Sequence, residues 1–446
     1  MMKEPILINA PASKSLSHRT LIAAALANGV SEVSSALDSD DITRTRGCLT
    51  ACGATIEKKD GVLVVTGMED GPKGANADGK HKDEEPHELY MHESGTTCRL
   101  MTAVAAAGHG TFRVHGAPRM HERPMGELTG ALTTLGSKFQ YDGEKGFLPF
   151  FMTSRGYTKK SVDITLEESS QYLSGLLLGA PLAGHEITVN VTGNKAVSWP
   201  YVALTLRIME DFKAEFEVQL KKNGKWQAVP WRSVKGVTPG KIRFVVQPSG
   251  YQPTNYRVEG DWSNASYFLA AGAVGRNPVL IKGLAADSLQ GDRAIMDILS
   301  QMGASIQVTF DGILVVPAPL RGITVDMSRC PDLVPTVAAA AAFASTPTTI
   351  ENVAHLRIKE TDRLAACAEE VARTRTDTSI VGDSLIIRPG ALPRGETIAF
   401  KTYNDHRMAM SMSLFSLAGM DVELDNPACV GKSFPGFWDE WKKITG

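Results

Sequence analysis

Several features that would assign the chain to a broad class of protein are missing from it. No apolar run approaches the ~18 residues that a membrane-spanning helix needs. Lys plus Arg is 47 against 49 for Asp plus Glu, and this balance argues against general binding to nucleic acid or to a membrane surface. Six cysteines in 446 residues are too few for a disulfide framework, and their spacing is not that of a zinc site. We expect a cytoplasmic protein with reduced thiols and no targeting segment before the strand-like EPILINA.

A glycine-rich phosphate loop is also absent, and the chain instead repeats one kind of helix. Each copy is rich in alanine or leucine and apolar on nearly every face, which predicts burial on all sides. A second helix with a polar start and several short alternating strands accompany most copies. This pattern and the chain length predict two α/β domains with helices inside and strands outside. The six copies are residues 15–28, 96–107, 170–183, 264–274, 333–344 and 405–418.

Hydroxyl and basic side chains are concentrated where these helices begin. In KSLSHR, Ser15 is a candidate N-cap, Lys14 precedes it, and Arg19 follows one turn later on the same face. Free backbone N–H groups at a helix start attract anions, so a phosphate or carboxylate would meet all three side chains. A plain capped helix explains this stretch alone equally well. The pattern recurs, however, at further predicted helix starts, with Arg99, Arg123, Ser169, Ser170, Gln171, Lys359, Arg363 and Arg407, and Lys432 lies in a glycine-flanked loop before the last predicted helix.

If the repeats orient their helices alike, these starts converge and form a cationic cleft that binds more than one phosphate or carboxylate. Two acidic residues accompany the basic ones. Asp332 precedes a predicted buried helix, and Glu360 lies between Lys359 and Arg363, which we expect on one helix face. A carboxylate flanked by cations stays ionised, which suits a base or proton shuttle. Complementing the helix dipole is the alternative role, and for Asp332 alone it is the better one.

Eight segments resemble, in order and over nearly the whole chain, the motifs of the 5-enolpyruvylshikimate-3-phosphate synthase family. The resemblance implies transfer of the enolpyruvyl group of phosphoenolpyruvate to the 5-hydroxyl of shikimate 3-phosphate, with release of phosphate, on the shikimate pathway to aromatic amino acids. It implies neither a metal nor an organic cofactor, and the family is the target of glyphosate, a competitor of phosphoenolpyruvate. The segments are KSLSHRTLIAAALA, SGTTCRL, ERPM, SSQYLSGLLL, EGDWSNASYFLAAGA, PDLVPTVAAAAAFA, HLRIKETDRLAA and YNDHRMAMSMSL.

The resemblance also implies the enolpyruvyl-transferase fold. This is a two-domain α/β fold in which each domain has three βαβαββ-like repeats with buried helices, an inside-out α/β barrel. The first lobe would comprise residues 1–12 plus 260–446 and the second residues 13–259, with the active site in the cleft between them. We expect a monomer that acts on two small molecules and has no nucleic-acid or membrane partner.

Matching motifs assign the following roles by resemblance. Shikimate 3-phosphate would be bound by Lys14, Ser15, Arg19, Ser169, Ser170, Gln171, Ser198, Asp332, His355 and Lys359. Phosphoenolpyruvate would be bound by Lys14, Gly95, Arg123, Gln171, Arg363, Arg407 and Lys432. Asp332, Glu360 and Lys14 would move protons while an addition gives a tetrahedral intermediate and an elimination expels phosphate. Glu93, His355 and Trp199 depart from the common bacterial pattern, which has Asn, Asn and Lys at those positions.

Two other functions remain open. A UDP-N-acetylglucosamine enolpyruvyl transferase would share the fold and the donor. That family typically has Lys-Asn where this chain has Lys14 and Ser15, and it carries a reactive cysteine where this chain has Pro118. A non-catalytic anion-binding protein of the same fold would be expected to lack Asp332, Glu360 or Lys14, and all three are present.

Overall fold

The computed structural model describes residues 4–80, 84–196 and 198–446. The chain divides into two compact units. One unit combines Met1–Ser13 with Glu259–Gly446, and the other is Lys14–Val258. Each unit contains three of the sheets described below.

The described residues form the following elements. The α-helices are α1 Lys14–Leu26, α2 Asp40–Ala51, α3 Gly95–Ala106, α4 Pro118–His121, α5 Gly126–Thr134, α6 Ser170–Gly179, α7 Trp199–Asp211, α8 Trp262–Val274, α9 Ile295–Gln301, α10 Val334–Ala341, α11 Arg363–Ala372, α12 His406–Met412 and α13 Phe437–Thr445. The strands are β1 Ile6–Asn9, β2 Val30–Ser34, β3 Thr55–Lys59, β4 Val62–Thr66, β5 His87–Tyr90, β6 His109–His115, β7 Lys138–Tyr141, β8 Phe150–Arg155, β9 Ser161–Leu166, β10 Ile187–Ala196, β11 Phe216–Lys222, β12 Lys225–Val229, β13 Ile242–Val246, β14 Tyr256–Arg257, β15 Val279–Lys282, β16 Ser305–Thr309, β17 Gly312–Val316, β18 Thr324–Asp326, β19 Thr348–Glu351, β20 Asp377–Val381, β21 Ser384–Arg388, β22 Thr397–Phe400 and β23 Asp421–Leu424. The 3₁₀ helices are Ala180–Leu182, Trp231–Ser233, Gly291–Ala294, Pro331–Leu333, Ala354–Ile358, Ser413–Ala418 and Pro427–Lys432.

One repeat shows the common plan. Strands β5 and β6 pair in parallel and are joined through α3, and α5 then leads into the antiparallel pair β7 and β8. Parallel neighbours need a crossover, and here a buried helix supplies it. The resulting order β5-β6-β8-β7 recurs in β14-β2-β4-β3, β1-β15-β17-β16 and β18-β19-β21-β20. Another sheet is extended to β12-β11-β13-β10-β9, and the last described sheet is the pair β22-β23.

The first helix of each repeat is buried, as its apolar sequence predicts. Every residue is buried from Leu16 to Leu26 in α1 and from Trp262 to Ala273 in α8, and α10 and α12 are buried throughout. Small residues let such helices approach closely, since a Cβ on Gly175 of α6 would lie 2.9 Å from the carbonyl oxygen of Arg99 in α3. Because their sides are packed, these helices can offer polar groups to a ligand mainly at their ends.

The predicted start of the first helix, with Ser15 as its N-cap, is wrong. Helix α1 begins at Lys14, not after a capping Ser15. The backbone N–H of Ser13 donates to the carbonyl oxygen of Glu259 at 2.8 Å, which keeps the chain extended up to that residue. Lys14 therefore belongs to the first turn and does not precede it.

The prediction that Lys359 and Arg363 share a helix face is also wrong. Helix α11 begins at Arg363, because the carboxylate of Asp362 accepts a hydrogen bond from the backbone N–H of Ala365 at 3.1 Å and caps the helix there. Lys359 has extended backbone after the 3₁₀ helix Ala354–Ile358. The two basic side chains therefore come from different local structures.

The cysteines are packed thiols. All six are free, and burial raises the pKa of each thiol above its ordinary value. Thiols of this kind stay protonated and unreactive. Within the three described ranges, no helix combines the length and the apolar character that crossing a membrane requires.

Candidate active site

In the unit Lys14–Val258, side chains connect the starts of the first three helices. Lys14 Nζ donates to Oδ2 of Asp41, in the first turn of α2, at 3.1 Å. The hydroxyl of Thr97, near the start of α3, donates to the carbonyl oxygen of Asp41 at 3.2 Å. Ser15, the second residue of α1, is partly buried beside Lys14. The side chain of Lys14 is therefore held in position by its ion pair with Asp41.

A second set of contacts connects α3 with α6. The side-chain amide of Gln171 donates to the hydroxyl of Thr96 at 2.8 Å, and its oxygen accepts from Arg99 NH1 at 3.0 Å. The hydroxyl of Ser169 accepts from the backbone N–H of Gln171 at 3.2 Å and caps α6, and the next residue, Ser170, is buried. The predicted site residues of this segment therefore lie together at a helix start.

Arg123 lies against the start of α3. A Cβ added to Gly95 would be 2.5 Å from Arg123 NH1 and 2.8 Å from its Cζ, so the guanidinium fits only because position 95 has no side chain. The sequence predicts a helix start at Pro124, directly after Arg123, and this is wrong because Arg123 and Pro124 lie in the segment between α4 and α5. The side chain is buried, and its planar fork suits a carboxylate or phosphate.

Arg19 is also buried, and its side chain connects α1 with α7. Its Nε donates to the hydroxyl of Thr205 at 2.8 Å, its NH2 to the carbonyl oxygen of Tyr201 at 3.1 Å, and its NH1 to that of Ser15 at 2.8 Å. Burial lowers the pKa of Arg19 to about 10, which leaves the group charged at neutral pH. Arg19 thus orients the start of α7, where Ser198 has a φ of 57°, a value uncommon for residues other than glycine.

In the unit of Met1–Ser13 and Glu259–Gly446, Asp332 is held between two arginines. Its Oδ1 accepts from Arg363 NH1 at 3.0 Å and its Oδ2 from Arg407 NH2 at 2.8 Å. Burial alone would raise the pKa of Asp332, but the charges of Arg407, Lys359 and Arg363 outweigh that effect and hold it well below its ordinary value. The partly buried Asp332 and the buried Arg363 and Arg407 therefore form an ionised cluster.

Arg363 is the centre of this cluster. Its Nε donates to Asp405 at 2.7 Å and its NH2 to Glu360 at 2.8 Å, while Lys432 Nζ lies 3.8 Å from the other oxygen of Glu360. Asp405 is fully buried and also accepts from the backbone N–H of Arg407 at 2.9 Å. Burial would lower the pKa of Arg363, but the surrounding carboxylates raise it well above its ordinary value.

Lys359 and His355 come shortly before Glu360 and Arg363 in the sequence. The charge of Lys359 acts on Asp332. His355 is buried in the 3₁₀ helix Ala354–Ile358, four residues earlier. Its contact with a ligand remains a prediction.

The donor chemistry of both clusters is that of fixed cations, amides and hydroxyls beside a few carboxylates. In the part of the chain that the structure describes, no group of three or more His, Cys, Asp or Glu side chains could hold a metal ion. Guanidinium forks bind carboxylates and phosphates, and buried carboxylates beside them can accept or return protons.

A family model described as EPSP synthase (3-phosphoshikimate 1-carboxyvinyltransferase) matches residues 6–441. The chain belongs to the EPSP synthase family. A relative named 3-phosphoshikimate 1-carboxyvinyltransferase from Marinomonas sp. (strain MWYL1) is 38% identical over 440 residues, covering 98% of this chain and 96% of the relative. One of the same name from Mannheimia haemolytica is 38% identical over 443 residues, with the same coverage.

Solved structures support the fold. EPSP synthase from Acinetobacter baumannii superposes with a TM-score of 0.75 at 24% identity, covering 98% of this chain and 95% of that one. The enolpyruvyl transferase NikO from Streptomyces tendae gives a TM-score of 0.68 at 16% identity, covering 98% and 94%. The predicted enolpyruvyl-transferase fold with its repeated units and buried helices is confirmed.

The ion pairs of two carboxylates in these clusters are not predicted from the sequence. Asp405 is the first residue of the predicted helix 405–418, and nothing in YNDHR indicates a bond to Arg363. Asp41 is one of two adjacent acids at a helix start, which indicates dipole complementation but not a bond to Lys14. The bond of Asp405 to Arg363 and that of Asp41 to Lys14 both join residues that are distant in the sequence.

Proposed function

We propose that the chain transfers the enolpyruvyl group of phosphoenolpyruvate to the 5-hydroxyl of shikimate 3-phosphate and releases phosphate. Membership of the EPSP synthase family supports this reaction. The structural observation that carries it is the partly buried carboxylate of Asp332 between the buried guanidinium groups of Arg363 and Arg407. That arrangement supports the proposal, since a carboxylate can accept a proton and guanidinium forks match an anionic substrate.

The proposed binding residues are those that the family motifs assign. Shikimate 3-phosphate would contact Lys14, Ser15, Arg19, Ser169, Ser170, Gln171, Ser198, Asp332, His355 and Lys359. Phosphoenolpyruvate would contact Lys14, Gly95, Arg123, Gln171, Arg363, Arg407 and Lys432. Each of the two sets includes residues of both units.

The chemistry is addition followed by elimination. The 5-hydroxyl attacks C2 of phosphoenolpyruvate while C3 gains a proton, and a C3 proton is then lost as the C2–O bond to phosphate breaks. Asp332, Glu360 and Lys14 are the groups proposed to move these protons. The basic side chains stabilise the phosphate as it leaves.

The ion pairs explain how Asp332 could become a better base when substrate binds. The charge of Asp332 is balanced by Arg363 and Arg407. A substrate carboxylate on those arginines would bring another negative charge close and draw on the same cations. Both effects raise the pKa of Asp332 and favour proton uptake in the complex.

A coupled phosphate-release assay tests the proposal. We expect signal only when phosphoenolpyruvate and shikimate 3-phosphate are both present. Lys14→Met and Asp332→Ala should each abolish most turnover without unfolding the chain. The matched controls Lys58→Met and Asp38→Ala remove an exposed ion pair and should leave the rate unchanged.

Two results would replace the proposed function. Release of phosphate with UDP-N-acetylglucosamine, and none with shikimate 3-phosphate, would identify the other transferase activity. Binding of both substrates by calorimetry without any turnover would identify a non-catalytic anion-binding protein.

A further inference from the structure

A buried carboxyl without an assigned role lies beside Asp332. Asp292 is in the 3₁₀ helix Gly291–Ala294, and 3% of it is exposed. Its Oδ2 accepts a hydrogen bond from the hydroxyl of Ser263 in α8. Its Oδ1 is buried and has no hydrogen-bond partner among the residues that the structure describes. A full negative charge on that oxygen would lack a donor to stabilise it.

The groups around Asp292 include one cation and several acids. The charge of Arg407, in α12, lowers the pKa of Asp292. Asp297, in the first turn of the following helix α9, is exposed. The other titratable groups that interact with Asp292 are Asp332, Asp261 and Cys330. The carboxylate of Asp332 already holds Arg407, so an ionised Asp292 would be a second carboxylate acting on one guanidinium.

The environments of Asp292 and Asp332 drive their pKa values apart. Burial, followed by the charge of Asp332, raises the pKa of Asp292 to about 7, against the opposing effects of Arg407 and the Ser263 hydroxyl. Asp332 itself is held ionised. Neighbouring carboxyls separated in this way usually have different functions.

We infer that Asp292 is a positioning residue whose uncharged carboxyl leaves Arg407 available to the carboxylate of phosphoenolpyruvate. This inference rests on the proposed function. Ionisation of Asp292 adds a competing negative charge beside Arg407 and weakens binding of the substrate anion. Because Asp292 acts through Arg407, we expect its effect on substrate affinity and not on the chemical step.

The test compares Asp292→Asn with the parent as a function of pH. Asparagine keeps the shape and the acceptor for Ser263 but cannot ionise. We expect the KM for phosphoenolpyruvate of the parent to rise severalfold relative to that of the variant between about pH 6 and pH 8, with kcat changed less than about twofold. The substrate phosphates titrate in the same range, and taking the ratio at each pH removes their contribution. Parallel KM profiles would overturn the inference.

Two further variants separate positioning from packing. Ser263→Ala removes a hydrogen bond that lowers the pKa of Asp292, so the KM rise should move to higher pH. Asp297→Asn changes an exposed acid on the adjoining helix and should reproduce the parent profile. A Ser263→Ala profile that does not move, or moves to lower pH, would contradict the role of Asp292. This variant also tests the inference if Asp292→Asn does not fold.

An assay without turnover distinguishes failure of the inference from failure of the proposed function. With ¹³C-labelled aspartate, infrared titration of the full chain should show a protonated carboxyl that disappears near neutral pH. The signal should be absent from Asp292→Asn and should titrate at higher pH in Ser263→Ala. A parent that releases no phosphate would refute the proposed function, whereas a parent without this infrared signal would refute the protonated state of Asp292.

Discussion

Substituting Gly95 with alanine isolates the contribution of Arg123 to substrate binding. The added Cβ would lie 2.5 Å from Arg123 NH1, whereas ordinary contact begins at 3.4 Å. The guanidinium is the end of a flexible side chain, so it will move while the backbone stays in place. The required shift is about 1 Å, and a misplacement of that size can cost about 100-fold in rate.

We therefore expect Gly95→Ala to lower kcat/KM for phosphoenolpyruvate by about 10- to 100-fold, or roughly 1.4 to 2.8 kcal/mol. The KM for shikimate 3-phosphate should change much less, because the displaced fork is assigned to the other substrate. Stability should not fall by a comparable amount, since alanine is the better helix residue and Gly95 opens α3. Steady-state phosphate release with each substrate varied in turn measures the kinetic effect.

The control and the double variant make the test specific. Gly130→Ala lies on the exposed side of α5, where an added Cβ has nothing within 4 Å, and it should behave like the parent. If Gly95→Ala acts through Arg123, it should cost little more in an Arg123→Met background. An undiminished loss in that background, or no loss in the parent background, would refute this reasoning.

Two further predictions concern buried charge. Arg363→Met leaves the carboxylate of Asp405 buried without its main partner, so the free energy of unfolding in urea should fall by about 3–5 kcal/mol. The control Arg388→Met removes an exposed ion pair and should lower it by less than about 1 kcal/mol. Similar losses in the two variants would contradict a special contribution of the buried network. His18 is fully buried, and burial lowers its pKa to about 3, so the unfolded chain gains a proton below pH 6.5 that the folded chain cannot accept. Stability should therefore fall by about 2 kcal/mol more between pH 7 and pH 5 in the parent than in His18→Gln, and equal slopes in denaturation would contradict a neutral His18.

The architecture could be predicted largely because its main signal is local. Helices apolar on nearly every face, such as residues 15–28 and 264–274, are predicted to be interior, and their repetition predicts several equivalent units. The grouping of hydroxyl and basic residues before those helices is equally local. It correctly indicates polar clusters at helix starts within each unit.

The detailed bonding could not be predicted because it depends on tertiary neighbours. Arg363 pairs with Asp405, 42 residues later, and nothing in either local sequence indicates the partner. The sequence predicts that Arg19 contacts a ligand, yet its nitrogens also donate hydrogen bonds to α7, which is distant in the sequence. The cap at Asp362 overrides the apparent helical spacing of Lys359 and Arg363, as local capping often does.

The addition–elimination chemistry is tested most directly by running the reaction in D₂O and measuring the product by mass spectrometry. If C3 of phosphoenolpyruvate gains a solvent proton and then loses one from a methyl group, deuterium must appear in the methylene of the transferred enolpyruvyl group. We expect that label in the product of the parent chain. Product formed at the normal rate with an unlabelled methylene would contradict the proposed proton transfers and the roles given to Asp332, Glu360 and Lys14.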